Sequence, residues 1–321
     1  MEHPLRDGFR TSRPTTEDAA AIQKLVAAAD VAAIGQADTT LDDVKDALAE
    51  PAFDRTRDGW LVWRGRDLVG WAWACRKGDS ANVDIDVYTR PNVDGVNPFL
   101  WDIVERRAGE IAAELSHPDA VAYIGVHRQD SSKKASAEQR GYAVQTSFYR
   151  MRVDHDGVKS DPELPSGVTL TTVADDDDLR REAHNVYERS FGTHFGFVPR
   201  SYEQWLADNE SQTTFDWSQL RLALVDGAPA AMLAGTNQFV PDENCGYVQT
   251  LATLPAYRGR RLASVLLRDR FVRDARLGRV GTYLHVDANN ATGALRLYES
   301  VGMRTVMVID VWRKTINAVP R

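Results

Sequence analysis

Apolar and polar positions along this chain alternate in short bursts and then fall into helical spacing, and the same succession occurs twice. The first pass reads as a strand at Phe9–Arg13, helices at Thr16–Ala29 and Leu41–Glu50, and a hairpin over Gly59–Gly70 turning at Gly65. A strand at Asn82–Tyr88 (NVDIDVY), a long helix, a strand at Val121–Val126, a short helix and the terminal stretch AVQTSFYRMRVD follow. The second pass begins with a strand at Val168–Val173 and continues with helices at Asp176–Phe191 and Arg200–Asn209. A hairpin over Leu220–Ala231 turns at Asp226-Gly227, and a strand at Gly246–Thr253, a long helix, a strand at Val280–Asp287, a short helix and a last strand complete it. Strands interleaved with helices in this way predict an α/β protein, a mixed sheet with helices on both faces.

Weak internal repetition supports two copies. Phe53-Asp54 before the first hairpin is answered by Phe215-Asp216 before the second, and Gly141-Tyr142 by Gly302-Met303, at spacings that agree to one residue. Between the copies lies His155–Ser166, HDGVKSDPELPS, a polar stretch with Pro162 and Pro165 that reads as a linker. The expected division is therefore a first domain at 1–153, a linker at 154–167 and a second domain at 168–321.

Composition allows this. A chain of 321 residues with 43% apolar content can bury two ordinary cores. A net charge of −7 and a pI near 5.6 argue against nucleic acid as a partner. Met1 to Asp7 is polar and no apolar run reaches the length of a signal peptide or a membrane span, so a cytoplasmic protein with no membrane partner is expected. Cys75 and Cys245 form neither a metal pattern nor a disulfide framework and read as small buried residues. His184, Glu188 and His194 do not form a metal-binding helix face, and no metal is expected.

The chemistry concentrates in Val248–Ala263, VQTLATLPAYRGRRLA, where a strand leads through a basic turn onto a helix. Amides left unpaired in a first helical turn attract an anion, the helix dipole adds to the pull, and Arg258, Arg260 and Arg261 bring positive charge. Gly259 permits a close backbone approach. Arg261, placed in the first helical turn, is expected to have ordinary right-handed geometry. Downstream come the strand at Val280–Asp287, an Asn-initiated helix carrying Tyr298, and Gly302 ending it.

Two motifs about 40 residues apart resemble those of the GNAT superfamily of acyl-CoA-dependent N-acyltransferases. Arg258-Gly259-Arg260-Arg261-Leu262-Ala263 is similar to the pyrophosphate pattern Gln/Arg-x-x-Gly-x-Gly/Ala, with Arg261 at the central Gly. Asn289 or Asn290 through Leu297-Tyr298 to Gly302 is similar to Asn-x-x-Ala-x-x-Leu-Tyr-x-x-x-Gly. The tandem arrangement resembles mycothiol synthase and other actinobacterial tandem GNAT proteins. The resemblance implies direct transfer of an acetyl group from acetyl-CoA to an amine. Leu251, Ala252 and Thr253 would offer a strand edge to pantetheine beside a β-bulge, and the amides from Gly259 to Ser264 would hold the pyrophosphate. Asn290 or Asn289 would bond near the thioester or cap its helix. Cys75 or Cys245 could alternatively line the thiol channel.

The resemblance makes Tyr298 the general acid that protonates the leaving thiolate, with helix packing as the other reading of that residue. Tyr247 stands where an acidic base is expected, so Glu243 through a water, then His285, are the candidate bases. The aromatic stretch Phe191–Trp205 contains His194, Phe195, Phe197 and Tyr202, which with Tyr247 are expected to wall the acceptor site; core packing is the competing reading. Asp175–Asp178 reads as the charged first turn of a helix. The expected activity is N-acetylation of a small-molecule amine. Acetyl-CoA binding without transfer and modification of a protein or peptide amine are the alternatives. A monomer or homodimer is expected.

Sliding the second half onto the first by Pro255 and Pro91 places Asp94-Gly95-Val96-Asn97 under Arg258–Arg261, and aligning Gly302 with Gly141 places Ala137 under Tyr298. A degenerate first half and a single acetyl-CoA site in the second half are expected.

Overall fold

The computed structural model describes residues 5, 8–157, 160–192, 197–289 and 293–319. In chain order the strands and α-helices are β1 (Phe9–Ser12), α1 (Ala19–Ile34), α2 (Leu41–Ala49), β2 (Gly59–Arg64), β3 (Asp67–Arg76), β4 (Asn82–Thr89), α3 (Val96–Glu114), β5 (Asp119–His127), α4 (Ser131–Gln139) and β6 (Ala143–Asp154). There follow β7 (Val168–Thr172), α5 (Asp177–Phe191), α6 (Tyr202–Glu210), β8 (Phe215–Val225), β9 (Ala228–Thr236), α7 (Val240–Glu243), β10 (Cys245–Thr253), α8 (Leu262–Arg276), β11 (Gly281–Asp287), α9 (Ala294–Ser300) and β12 (Arg304–Asn317). The two expected passes are both present. Among the described residues no helix is long and apolar enough to cross a membrane.

The chain forms two compact units, Met1–Phe148 with Met307–Arg321, and Tyr149–Val306. This differs from a cut in the segment between β6 and β7. The end of β6 belongs to the second unit, and most of β12 to the first, where Ile309–Asn317 runs antiparallel to Asp119–His127 of β5.

In the first unit the strand order is β1-β2-β3-β4-β5-β12. The alternation of DIDV on β4 buries Val83, Ile85 and Val87 against α3, which contributes Leu100, Trp101 and Val104. The opposite face is covered by Ile22 and Leu25 of α1 and Val44 of α2, packed on Leu61 and Trp71. Gly70 is required by close packing, because a Cβ there would stand 2.7 Å from Val96 and 2.8 Å from Leu100.

In the second unit β6 is followed by β11-β10-β9-β8-β7. The Asp226-Gly227 turn has φ of 50° and 83°, as a two-residue hairpin requires. One face packs Leu262, Leu266 and Phe271 of α8 on Leu233, Val248 and Leu284; the other packs Ala183, Val186 and Trp205 on Leu220, Leu222 and Met232. Asp176 caps α5 by accepting the Leu179 amide at 3.0 Å, and Asp177 and Asp178 fill the first turn, as the acidic run predicts.

Beneath the sheet of the second unit lies a buried ion cluster. Asp274 accepts from Arg270 Nε at 2.9 Å, from Arg279 at 2.7 Å and from the Thr282 hydroxyl at 2.5 Å, while Arg270 also donates to Gln219 at 2.7 Å. These groups fit because Gly235 and Gly246 have no side chain; a Cβ at either would collide with Arg270 or Asp274. Removing one partner of such a cluster would leave an uncompensated buried charge.

Candidate active site in the second unit

The geometry begins with a bulge. β10 runs antiparallel to β9, but the register slips between Val248 and Thr250, leaving Gln249 as an extra residue. On its other side β10 is parallel to β11 for four pairs only, from Cys245↔Gly281 to Val248↔Leu284. Beyond that pair both strands continue, β10 to Thr253 and β11 to Asp287, without pairing to each other. The sheet thus opens into a V, and Leu251, Ala252 and Thr253 form the strand edge along one arm.

The turn after β10 reaches the N-terminus of α8. Gly259 has φ 79° with open space where a Cβ would be, so backbone conformation is what demands glycine there. Arg261 is the N-cap of α8 with φ 63° and ψ 12°. This corrects the right-handed geometry expected from sequence. Arg261 precedes the first helical residue, and the chain must enter the helix through a left-handed position that costs a non-glycine residue roughly 1 kcal/mol. The amides of Leu262, Ala263 and Ser264 open the helix. None has an intrahelical acceptor, and Arg258, Arg260 and Arg261 precede them.

Helix α9 closes the site. It starts at Ala294 behind Gly293, whose φ is 76°, rather than at an asparagine. Asn289 lies in the preceding turn, where its amide donates to Asp287 at 2.8 Å, and Asn290 lies outside the described residues. The helix ends as expected. Gly302 at φ 93° donates to Glu299 O at 3.0 Å and Met303 to Tyr298 O at 3.0 Å, a paired C-terminal cap. Tyr298 packs with Leu251 and Tyr257 on the cluster holding Val248, Leu262 and Val286. Burial alone pushes its phenol up to about 12, so it remains protonated in neutral solution.

At the crotch of the V stand Tyr247 and His285. The Tyr247 hydroxyl is 3.0 Å from His285 Nδ1, and Arg150 Nε donates to His285 Nε2 at 3.0 Å. An arginine only donates, so Nε2 must accept, and the neutral ring carries its proton on Nδ1. Arg150 is supplied by β6, a strand that the sequence reading leaves in the first half. Its position two residues from Arg152 was the available signal, since alternate residues of a strand share a face.

Glu243 is elsewhere. It ends α7, before the paired end of β10, so the four paired residues, about 13 Å of strand, separate it from the V. Its carboxylate accepts from the Tyr283 hydroxyl at 2.5 Å, and Arg152 in turn donates to that hydroxyl at 2.7 Å. The structure therefore does not bring Glu243 together with the V.

Of the expected acceptor wall, His194 and Phe195 lie outside the described residues. Phe197 packs with Tyr187 and Phe191 at ring distances of 5.6 and 6.3 Å. Tyr202 is a core residue, 8% exposed, whose hydroxyl donates to Asp177 at 2.6 Å. Cys245 is buried and Cys75 half-buried, both as free thiols. Among the described residues no group of three His, Cys, Asp or Glu side chains could hold a metal ion.

Comparison with known proteins bears on this geometry. Residues 176–303 match the acetyltransferase (GNAT) family. The fold is shared with a GCN5-related N-acetyltransferase from Sphaerobacter thermophilus, at TM-score 0.81 and 24% identity over 98% of both chains. A tandem GNAT protein of the clavulanic acid biosynthesis pathway gives TM-score 0.75 and 17% identity, covering 98% of this chain and 99% of that one. Saccharomyces cerevisiae N-myristoyltransferase with bound myristoyl-CoA gives TM-score 0.62 and 11% identity, over 97% of this chain and 79% of that one. No curated protein matches the sequence. The V between β10 and β11, the helix start beside it and the residues that match the acetyltransferase (GNAT) family thus lie in one stretch, within a chain that shares the GNAT fold.

Proposed function

We infer that this protein transfers an acetyl group from acetyl-CoA directly to the amine of a small molecule, with the chemistry in the second unit. The observation that carries the reading is the parting of β10 from β11 after Val248↔Leu284 beside the arginine-bearing start of α8. An extended amide chain can pair with the free edge at Leu251–Thr253, and a pyrophosphate can accept from the first-turn amides of α8. The amine nitrogen attacks the thioester carbonyl to form the N–C bond, the C–S bond breaks with its electron pair going to sulfur, and the proton shed by the nitrogen ends, through solvent, on the departing thiolate as the free thiol of CoA.

Tyr298 assists that departure. Complete proton transfer from a phenol near 12 to a thiolate whose conjugate acid is near 8.5 would be uphill by about 5 kcal/mol. Its role is therefore donation of a hydrogen bond to the developing thiolate, which matures into transfer only as cofactor binding alters its surroundings. The tandem arrangement says nothing about the acceptor, and a thiol-containing acceptor is not carried over from mycothiol synthase.

One observation favours a second reading, binding without transfer. Tyr247 occupies the place of the expected acidic base, His285 has Nε2 engaged by Arg150, and Glu243 is held by Tyr283 away from the V. Calorimetric titration of acetyl-CoA into the intact protein and an Arg258→Glu, Arg260→Glu variant tests the common part. One site lost in the variant supports the donor assignment, and no binding to the intact protein overturns it. Free-thiol release with a panel of amines then separates transfer from binding alone.

A further inference from the structure

Side chains alternate along β10 and β11, so the residues flanking the last pair, Val248↔Leu284, turn to the other face of the sheet. Val248 and Leu284 pack with α8, whereas Tyr247 packs with Phe239 and Tyr283 on the opposite face. His285 is the first residue of β11 beyond the paired stretch. Tyr247 is paired with Tyr283, yet its hydroxyl reaches His285, two residues further along β11. The tip of the phenol therefore lies where the strands begin to part.

Its surroundings hold it there. The buried ring of Phe239 meets the Tyr247 ring edge to face at 5.4 Å, and the His285 ring lies 5.6 Å from it on the other side. Arg150 is buried as well, 4.8 Å over the Phe239 ring and 5.9 Å over that of Tyr283, and its Nε donates to His285 Nε2.

The direction of every bond in this chain follows from the arginine. A guanidinium has no acceptor, so His285 Nε2 accepts and Nδ1 carries the ring proton. Nδ1 then donates to the Tyr247 oxygen at 3.0 Å. The one hydrogen of that phenol cannot lie on the same line and is directed away from the imidazole. A permanent cation at the far end polarises the chain in this sense and strengthens the hydroxyl as a donor.

We propose that Tyr247 is a catalytic residue that donates its O–H to the acyl oxygen of a thioester seated in the V, with Arg150 and His285 as positioning residues. The proposal rests on the acetyl-transfer reading above. As the amine nitrogen bonds to the carbonyl carbon, the C=O π pair moves onto oxygen. Tyr247 stabilises that oxyanion by its hydrogen bond and keeps its proton, and the pair returns to re-form C=O as the C–S bond breaks. The position where a carboxylate is expected to take a proton thus holds a donor to negative charge. Tyr298 serves the sulfur, so two phenols attend the two atoms on which charge builds.

The test is isotope-edited infrared spectroscopy of acetyl-CoA, labelled at the acetyl carbonyl and bound to the full chain without an acceptor amine. A hydrogen bond to the carbonyl lowers its stretching frequency. Relative to the intact protein, the band should move to higher frequency in Tyr247→Phe, move part of the way in Arg150→Leu, and stay in place in Tyr298→Phe. In turnover with an accepted amine, Tyr247→Phe should lower kcat by about 10²-fold with unchanged acetyl-CoA affinity. The phenylalanine keeps the ring contacts with Phe239 and His285, and Arg150→Leu perturbs the same bond independently. An unchanged band in Tyr247→Phe overturns the proposal and leaves the donor assignment standing, even if kcat falls, because the phenol would then act on the amine and not on the acyl oxygen. Absence of acetyl-CoA binding to the intact protein overturns the donor assignment and this proposal with it.

Discussion

The Tyr247 hydroxyl stands 3.0 Å from His285 Nδ1, across the last stretch where β10 and β11 still run together. With Arg150 donating to the opposite ring nitrogen, the imidazole is held as the Nδ1-protonated tautomer. Nitrogen chemical shifts of isotope-labelled histidine should show His285 Nε2 as the unprotonated nitrogen at neutral pH. In Arg150→Leu that tautomer preference should be lost, whereas a persisting preference would mean Arg150 does not set it.

Tyr298→Phe should lower kcat by about 10²-fold with little change in KM for acetyl-CoA, since the hydroxyl acts on the leaving thiolate and not on cofactor binding. Thiol-release kinetics check this. Unchanged kcat would leave Tyr298 as packing alone.

Arg261→Gly separates strain from charge. It relieves a left-handed N-cap worth about 1 kcal/mol, so the melting temperature should rise by about 2 °C, while loss of the guanidinium weakens acetyl-CoA binding severalfold. Thermal denaturation and calorimetry on the same variant should move in opposite directions.

Gly246→Ala should destabilise the protein by about 1–3 kcal/mol because the added methyl collides with Asp274 and disturbs its bonds to Arg270, Arg279 and Thr282. Urea denaturation measures it. No loss of stability would show that the ion cluster can shift to make room.

Acid should act on the first unit through Glu114. Hydrogen bonding from Arg107 foremost, then from Arg57, pulls its carboxyl down to about 2 against an ordinary value near 4.5, outweighing the opposing effect of burial. Because the folded-state value is depressed, its contribution is present above about pH 4.5 and is lost as pH falls towards 2. Glu114→Gln should lower stability at neutral pH and flatten its decline over that window, as followed by denaturation at several pH values.

The sequence by itself determined the local structure of both halves and the residues that form the candidate cofactor cradle. Hairpin turns at Gly65 and Asp226-Gly227, the acidic start of α5 and the glycine stop of α9 are local decisions, made by backbone conformations and hydrogen bonds that close within a few residues. Tertiary structure decided what those elements meet. A strand's pattern states which face it buries but not which strand it pairs with, so the placement of Ile309–Asn317 beside β5, and of Arg150 beside His285, was not legible. The same holds for Glu243, which sequence proximity brings near the site and the strand direction carries away from it.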